Sequence, residues 1–262
     1  MNFEQIFGVT FSQILLGFAR ASGMVMTAPI FQSRNIPSPV KVILAFGLAL
    51  VVAPFIVGTI DLNRFTFGMA VFTLIQELLT GLIMGFMINL TFYAVQIAGY
   101  YFDIEMGFGM VNILDPTTGT QMPIMGQVNY IMASLIFLAI NGHHTVISSF
   151  IQSYQVIKPG MFLIKKEAIG VFVMAFSNMF YLGFKIGIPI MGTIFLSNVA
   201  MGIIAKLIPQ INVFMLGFPV KIILGLIMII FFIPVFVMLI EATFSSSGDT
   251  FKMMRLMLRH LH

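Results

Sequence analysis

The chain has 262 residues, 59% of them hydrophobic and only 8% charged, with a net charge of +4 and no cysteine. A soluble domain carries about 25% charged residues, so this composition argues against an ordinary globular protein and for one surrounded by lipid or by other apolar chains. The missing cysteines remove disulfides, thiolate metal sites and thiol nucleophiles. The scattered basic charge, without interleaved aromatics, gives no nucleic-acid surface.

Apolar segments fall near 5–30, 42–60, 66–101, 128–151, 168–206 and 220–242, several close to the roughly 20 residues that cross a bilayer. The first lacks the basic flank of a cleavable signal, Glu4 lying ahead of Arg20, and is expected to be retained as a helix. Arg20 lies inside that segment, and an arginine at such depth is costly unless it faces a partner, water or another subunit. Either the helix ends near it and Arg20 is interfacial, or it pairs with an intramembrane acid such as Glu77. Glu77 has the converse problem: it sits among Leu74, Ile75, Leu78 and Leu79 with a side chain too short to reach an interface.

The third segment, with Glu77, Asn89 and Gln96, is long enough to pass beyond the bilayer or to bend. It also carries Gly81 and Gly85, a small-residue spacing that lets apolar helices approach closely, within a chain or between subunits. Residues 105–123, "EMGFGMVNILDPTTGTQMP", interrupt the apolar pattern. Gly107 and Gly109 permit unusual backbone, Asp115-Pro116 and Thr118-Gly119 favour turns, and Met106 and Met110 supply pliable apolar side chains.

The fourth segment ends in Asn141-Gly142-His143-His144. Adjacent histidines point to different faces of a helix, so the pair is expected to be a helix end and not a metal site. The fifth holds Lys185, Gly187 and Pro189 at its middle, the features of a broken helix or a tight hairpin. Beyond the sixth, Lys252, Arg255 and Arg259 form the densest basic patch, suited to a cytoplasmic tail beside lipid headgroups.

Six crossings with this tail inside would also place loop 152–167 inside and the acidic loop 102–127 outside; a hairpin at 185–189 would invert everything upstream. No linker or internal repeat divides residues 1–262, so a single all-α, membrane-type domain is expected. There is no Walker-A loop, HExxH or GxSxG, and the scarce carboxylates form no acid/base pair by sequence; neither an enzyme nor a bound cofactor or metal is expected.

The segment Pro209–Lys221, "PQINVFMLGFPVK", places a polar turn with Pro209, Gln210 and Asn212 between two apolar segments and closes it with Gly217 and Pro219. It resembles the signature of the FliR/SctT family of type III secretion export-gate proteins, and of its flagellar members in particular. Other pieces agree in order: Arg20, Ala28-Pro29, Ile36-Pro37, Glu77 with Gly81 and Gly85, Gln96 with Gly99, Asp115-Pro116, Asn141-Gly142-His143, and Ser153 with Pro159-Gly160. Met106-Gly107, where a Gln-Gly pair is common, and the doubled histidine depart from the pattern.

The resemblance implies a gate and not an enzyme. It implies a fold of long kinked helices, a FliP-like N-terminal part followed by a FliQ-like hairpin. In such families one FliR-type copy joins five FliP and four FliQ copies in a helical assembly in the bacterial inner membrane at the flagellar basal body, displaced toward the periplasm. FlhB lies at the entrance, and unfolded polypeptides are the cargo. On this reading Met106, Gly107, Phe108, Gly109, Met110, Asp115 and Pro116 belong to a channel plug, with Phe108 and Met110 as apolar stoppers. Arg20, Glu77 and Lys185 are buried charge contacts, and Gly81, Gly85, Pro209, Gln210, Asn212, Gly217 and Pro219 pack between subunits. A virulence-type secretion subunit, a stand-alone secondary transporter and a purely structural assembly subunit are the alternatives.

Overall fold

The computed structural model describes residues 3–33, 36–56, 66–108, 123–210, 212–245 and 248–261, with the backbone alone described at 3–10, 213 and 214. Eight α-helices carry these residues, and no strand occurs among them: α1 (Phe3–Thr27), α2 (Ser38–Val52), α3 (Phe67–Met106), α4 (Ile124–Ala139), α5 (Gly142–Val156), α6 (Lys166–Leu207), α7 (Val213–Phe244) and α8 (Asp249–Arg259). The protein is thus all-α and, by length and apolarity, of membrane type. Four stretches are long and apolar enough to cross a bilayer, or five if α4 and α5 are one broken span, among the described residues. Six crossings were expected.

Local chemistry sets the helix ends. Pro37 precedes α2 and Pro39 occupies its first turn, where the missing N–H costs nothing. The 40 residues of α3 contain no proline, and the helix stops only at Gly107, whose φ is 85°. The Gly107 N–H reaches the Ile104 carbonyl at 3.2 Å and the Phe108 N–H reaches that of Asp103 at 2.9 Å, the paired bonds of a Schellman cap. Asn212 accepts from the Met215 N–H through Oδ1 at 3.1 Å and so caps the start of α7.

Two expectations are corrected here. Residues 185–189 make no hairpin: α6 runs unbroken through Pro189, and Thr193 Oγ1 donates to the Pro189 carbonyl at 2.9 Å. The fourth apolar segment is not one helix, because Asn141, in the left-handed region at φ 57°, separates α4 from α5. The basic tail forms the helix α8, whose Phe251, Met254, Met257 and Leu258 are buried at helical spacing.

Contacts group the residues into two compact units. The first comprises 1–90, 138–176 and 243–262; the second comprises 91–137 and 177–242. In the first, α1 lies against α2 and against the N-terminal half of α3, where Gly81 and Gly85 leave room for the α1 backbone at Arg20, Met24 and Ala28. In the second, the C-terminal half of α3 is contacted by α4, α6 and α7. There Phe92 meets Tyr130 and Phe137, Tyr101 stacks on Phe184, and Met106 fills the notch left by Gly225.

Candidate functional site

The first unit holds the most concentrated polar chemistry among the described residues. Arg20 projects from α1 and Glu77 from α3, both fully buried. Arg20 Nε donates to Glu77 Oε2 at 2.7 Å and Nη2 to Oε1 at 3.1 Å, a two-pronged pair that matches the planar guanidinium to the carboxylate. Two further N–H groups are engaged: Nη1 donates to Ser153 Oγ at 2.9 Å, and Nη2 to the Ile157 carbonyl at 3.1 Å. Ser153 passes its own proton to the Phe150 carbonyl at 2.7 Å. The Tyr154 ring lies 3.7 Å from the guanidinium carbon, close enough for a cation–π contact.

This arrangement satisfies the condition for burying an arginine, which is compensation of both its charge and its donors. It joins α1, α3 and α5 at one point, and the close α1–α3 approach at Gly81 is what lets the short Glu77 side chain reach across. The two open readings of Arg20 therefore resolve: it pairs within the chain and is not interfacial. Lys185 differs. It is exposed in the chain by itself, with its amine 5.9 Å from the Tyr181 ring. A long lysine on an apolar helix can keep its amine outside where an arginine at a three-helix junction cannot.

A second polar contact lies in the second unit at the base of the segment between α3 and α4. The Asp103 carboxylate, buried on α3, accepts the Met125 N–H at 3.1 Å on each oxygen and the Gly126 N–H at 3.5 Å. These are first-turn amides of α4, which lack partners inside their own helix. Gly99 sits directly against the Gly126 backbone, a closeness that a Cβ on Gly99 would disturb. Asp103 therefore holds together the two stems from which residues 109–122 extend.

The structure redistributes the expected plug residues. Met106 is fully buried beneath Gly225 and packs the second unit. Gly107 terminates α3 and lies against Phe218. Phe108 is half-buried. Gly109, Met110, Asp115 and Pro116 lie outside the described residues.

The expected subunit-packing residues also divide. Gly81 and Gly85 are filled by α1 within the chain, because both face its backbone. Asn212 caps α7, and Gly217 is buried near Met201. Pro209, Gln210 and Pro219 are exposed.

Sequence reasoning missed Tyr154, the Ile157 carbonyl and Asp103. Asp103 was assigned to a loop, although residues 101–106 contain no helix breaker before Gly107, and that signal was available. Tyr154 and Ile157 acquire their roles only through the path of the chain. His143 and His144 stack edge-to-face on each other, and no group of three metal-ligating side chains occurs among the described residues.

Comparison with known proteins adds an independent line. The family profile described as bacterial export proteins, family 1, matches residues 11–247. The flagellar biosynthetic protein FliR of Bacillus subtilis is 33% identical over 247 residues, covering 92% of this chain and 94% of that protein. The Aquifex aeolicus protein of the same name is 31% identical over 239 residues, covering 91% and 90%. The one from Escherichia coli is 28% identical over 226 residues, covering 86% of each.

Proposed function

The chain belongs to the bacterial export proteins, family 1, and from that premise we propose that it is a subunit of the flagellar type III protein export gate in the inner membrane. The observation that carries the flagellar reading is near end-to-end similarity to proteins named for flagellar biosynthesis. In the proposed assembly the chain joins FliP and FliQ partners, with five FliP and four FliQ copies to one of this chain and FlhB at the entrance. The assembly is displaced toward the periplasm, and unfolded polypeptide is what it passes.

Uncovered surface supports a multi-subunit assembly over a stand-alone transporter. On α6 Ser177 and Lys185 are exposed and Asn178 and Asn198 are half-buried along a mainly apolar helix. Lipid tails offer such groups no hydrogen-bond partner, whereas neighbouring polypeptide does. Pro209, Gln210 and Pro219 remain available for packing between subunits.

The segment 105–123 is proposed as a seal, with Phe108 and Met110 as its apolar stoppers and Asp103 as its anchor. Methionine and glycine suit a closure that must accept cargo of any sequence. Two measurements test the reading. Affinity purification of the tagged chain should bring down the FliP and FliQ homologues of its host, and a photo-crosslinker at Phe108 should trap a stalled export substrate. Recovery of the chain alone, with secretion intact in its absence, would overturn it. Deleting 109–113, which spares the Gly107 cap, should raise small-molecule leakage through the assembled gate; unchanged leakage rejects the seal.

A further inference from the structure

Two stretches far apart in sequence meet in the first unit. Lys158-Pro159-Gly160-Met161 forms a tight turn with Gly160 at φ 75°, closed by the Met161 N–H on the Lys158 carbonyl at 3.1 Å. The chain then runs extended beside the end of α8. The Leu163 N–H bonds the Leu261 carbonyl at 2.9 Å, and the Lys165 N–H bonds that of His260 at 3.3 Å.

The surface so assembled is basic and partly apolar. Lys158, Lys165, Lys166, Lys252 and Arg259 are exposed on it; the acids on the same elements are Glu167 and Asp249, also exposed. Between the lysines Met161, Leu163 and Ile164 stand 58%, 62% and 62% exposed. The apolar face of α8 is turned inward through Phe251, Met254 and Leu258, so α8 contributes charge to this surface and no inserting wedge.

Position in the chain decides what this surface meets. Lys165 and Lys166 stand at the start of α6, whose exposed Ile169, Phe172 and Val173 follow Glu167 and already belong to an apolar, membrane-length helix. The basic helix α8 follows α7 after only residues 245–248. Both basic stretches therefore adjoin the ends of membrane-type helices. Lysine amines are point charges without the fork that selects a particular carboxylate, and exposed leucine and isoleucine between them fit the mixed polar and apolar boundary of a bilayer. Clusters of this sign next to spans mark the cytoplasmic leaflet.

We propose that the turn 158–161, the segment 161–166 and the outer face of α8 form a docking surface for the anionic phospholipid headgroups of the cytoplasmic leaflet. Lys158, Lys165, Lys166 and Lys252 neutralise phosphate, and Leu163 and Ile164 enter the boundary region. The proposal requires a membrane-bound chain but not the partner set of the export gate.

Because the chain has no cysteine, Ile164→Cys creates a single attachment point for an environment-sensitive dye. The labelled full chain is reconstituted into phosphatidylcholine vesicles with and without phosphatidylglycerol. The expected result is a blue-shifted emission, protected from an aqueous quencher, that appears with phosphatidylglycerol and fades as salt is raised. In the background Lys165→Gln/Lys166→Gln/Lys252→Gln, apparent affinity for the anionic lipid should fall about fivefold per lysine removed. Equal emission in both vesicle types overturns the proposal without requiring any lysine variant to fold. So does an unchanged response of the triple variant, or protection that arises only when an acidic protein is added. A positive result obtained with or without FliP and FliQ would leave the export reading to its own tests.

Discussion

Arg20 and Glu77, 57 positions apart in the chain, are joined by two hydrogen bonds of 2.7 and 3.1 Å at full burial. Removing one partner strands the other charge away from water, which costs about 3–5 kcal/mol. Glu77→Gln and Arg20→Met should therefore each lower the unfolding free energy of the purified chain by that order, and each should lower its level in membranes. The double variant Arg20→Met/Glu77→Leu should cost less than the sum of the two, because it leaves no orphaned charge. A double-mutant cycle reads the difference; strict additivity would mean that the pair is not coupled. Arg20→Lys should rescue poorly, since an amine cannot occupy both carboxylate oxygens, Ser153 Oγ and the Ile157 carbonyl together.

Gly81 and Gly192 make a contrast that separates packing inside the chain from packing outside it. A Cβ at Gly81 would collide with the carbonyl of Arg20 and the amide of Met24, atoms of backbone that cannot move aside. Gly81→Ala should therefore push α1 from α3, cost about 3 kcal/mol and disturb the ion pair as well. At Gly192 an added methyl meets nothing within 4 Å. Gly192→Ala should leave the isolated chain as stable or up to about 1 kcal/mol more so, through helix propensity. If neighbouring subunits close on this face of α6, the same change should weaken recovery of the assembly. Thermal stability of the chain and yield of the complex, measured side by side, distinguish the two effects.

The helices were legible because apolar content and length leave few alternatives: α3 and α6 fall within a few residues of the apolar segments 66–101 and 168–206, and α2 and α7 overlap theirs. What periodicity could not show was where polar pairing overrides it. Pro189 looked like a break, yet one lost amide bond does not stop a 42-residue helix whose remaining bonds are intact. Asn141 looked like the end of a helix and is a joint between two. Arg20 and Glu77 were conspicuous as charges in apolar surroundings, and their burial cost is what made them so. Ser153, Tyr154 and the Ile157 carbonyl were not, because neutral polar groups at such positions cost little until a charge is placed against them. α8 was readable in principle from Phe251, Met254 and Leu258, but its basic residues drew attention to charge instead of spacing.

Gly107 tests the helix cap separately from any seal. With φ at 85°, an alanine there takes on left-handed strain of about 1–2 kcal/mol, and its Cβ would press on the Phe218 ring at 3.0 Å. Gly107→Ala should therefore destabilise the chain by about 2 kcal/mol. Gly107→Asn should cost less than alanine, because asparagine tolerates that conformation. Equal losses for both would assign the effect to the contact with Phe218 and not to the backbone.

Asp103 provides the measurement that joins the anchored stems to the proposed seal. Its carboxylate accepts two first-turn amides of α4 from across the second unit. Asp103→Ala leaves both amides buried without an acceptor, at a cost of about 1–3 kcal/mol. Asp103→Asn keeps one carbonyl oxygen and should lose roughly half as much. Hydrogen exchange at Met125 and Gly126 should rise in that order, alanine above asparagine above the parent. If the segment between the stems seals a channel, small-molecule leakage through the assembled gate should rise in the same order, since loosening the anchor widens the range of positions the segment can occupy. Faster exchange without added leakage would leave Asp103 a helix cap alone and would remove the anchor from the seal.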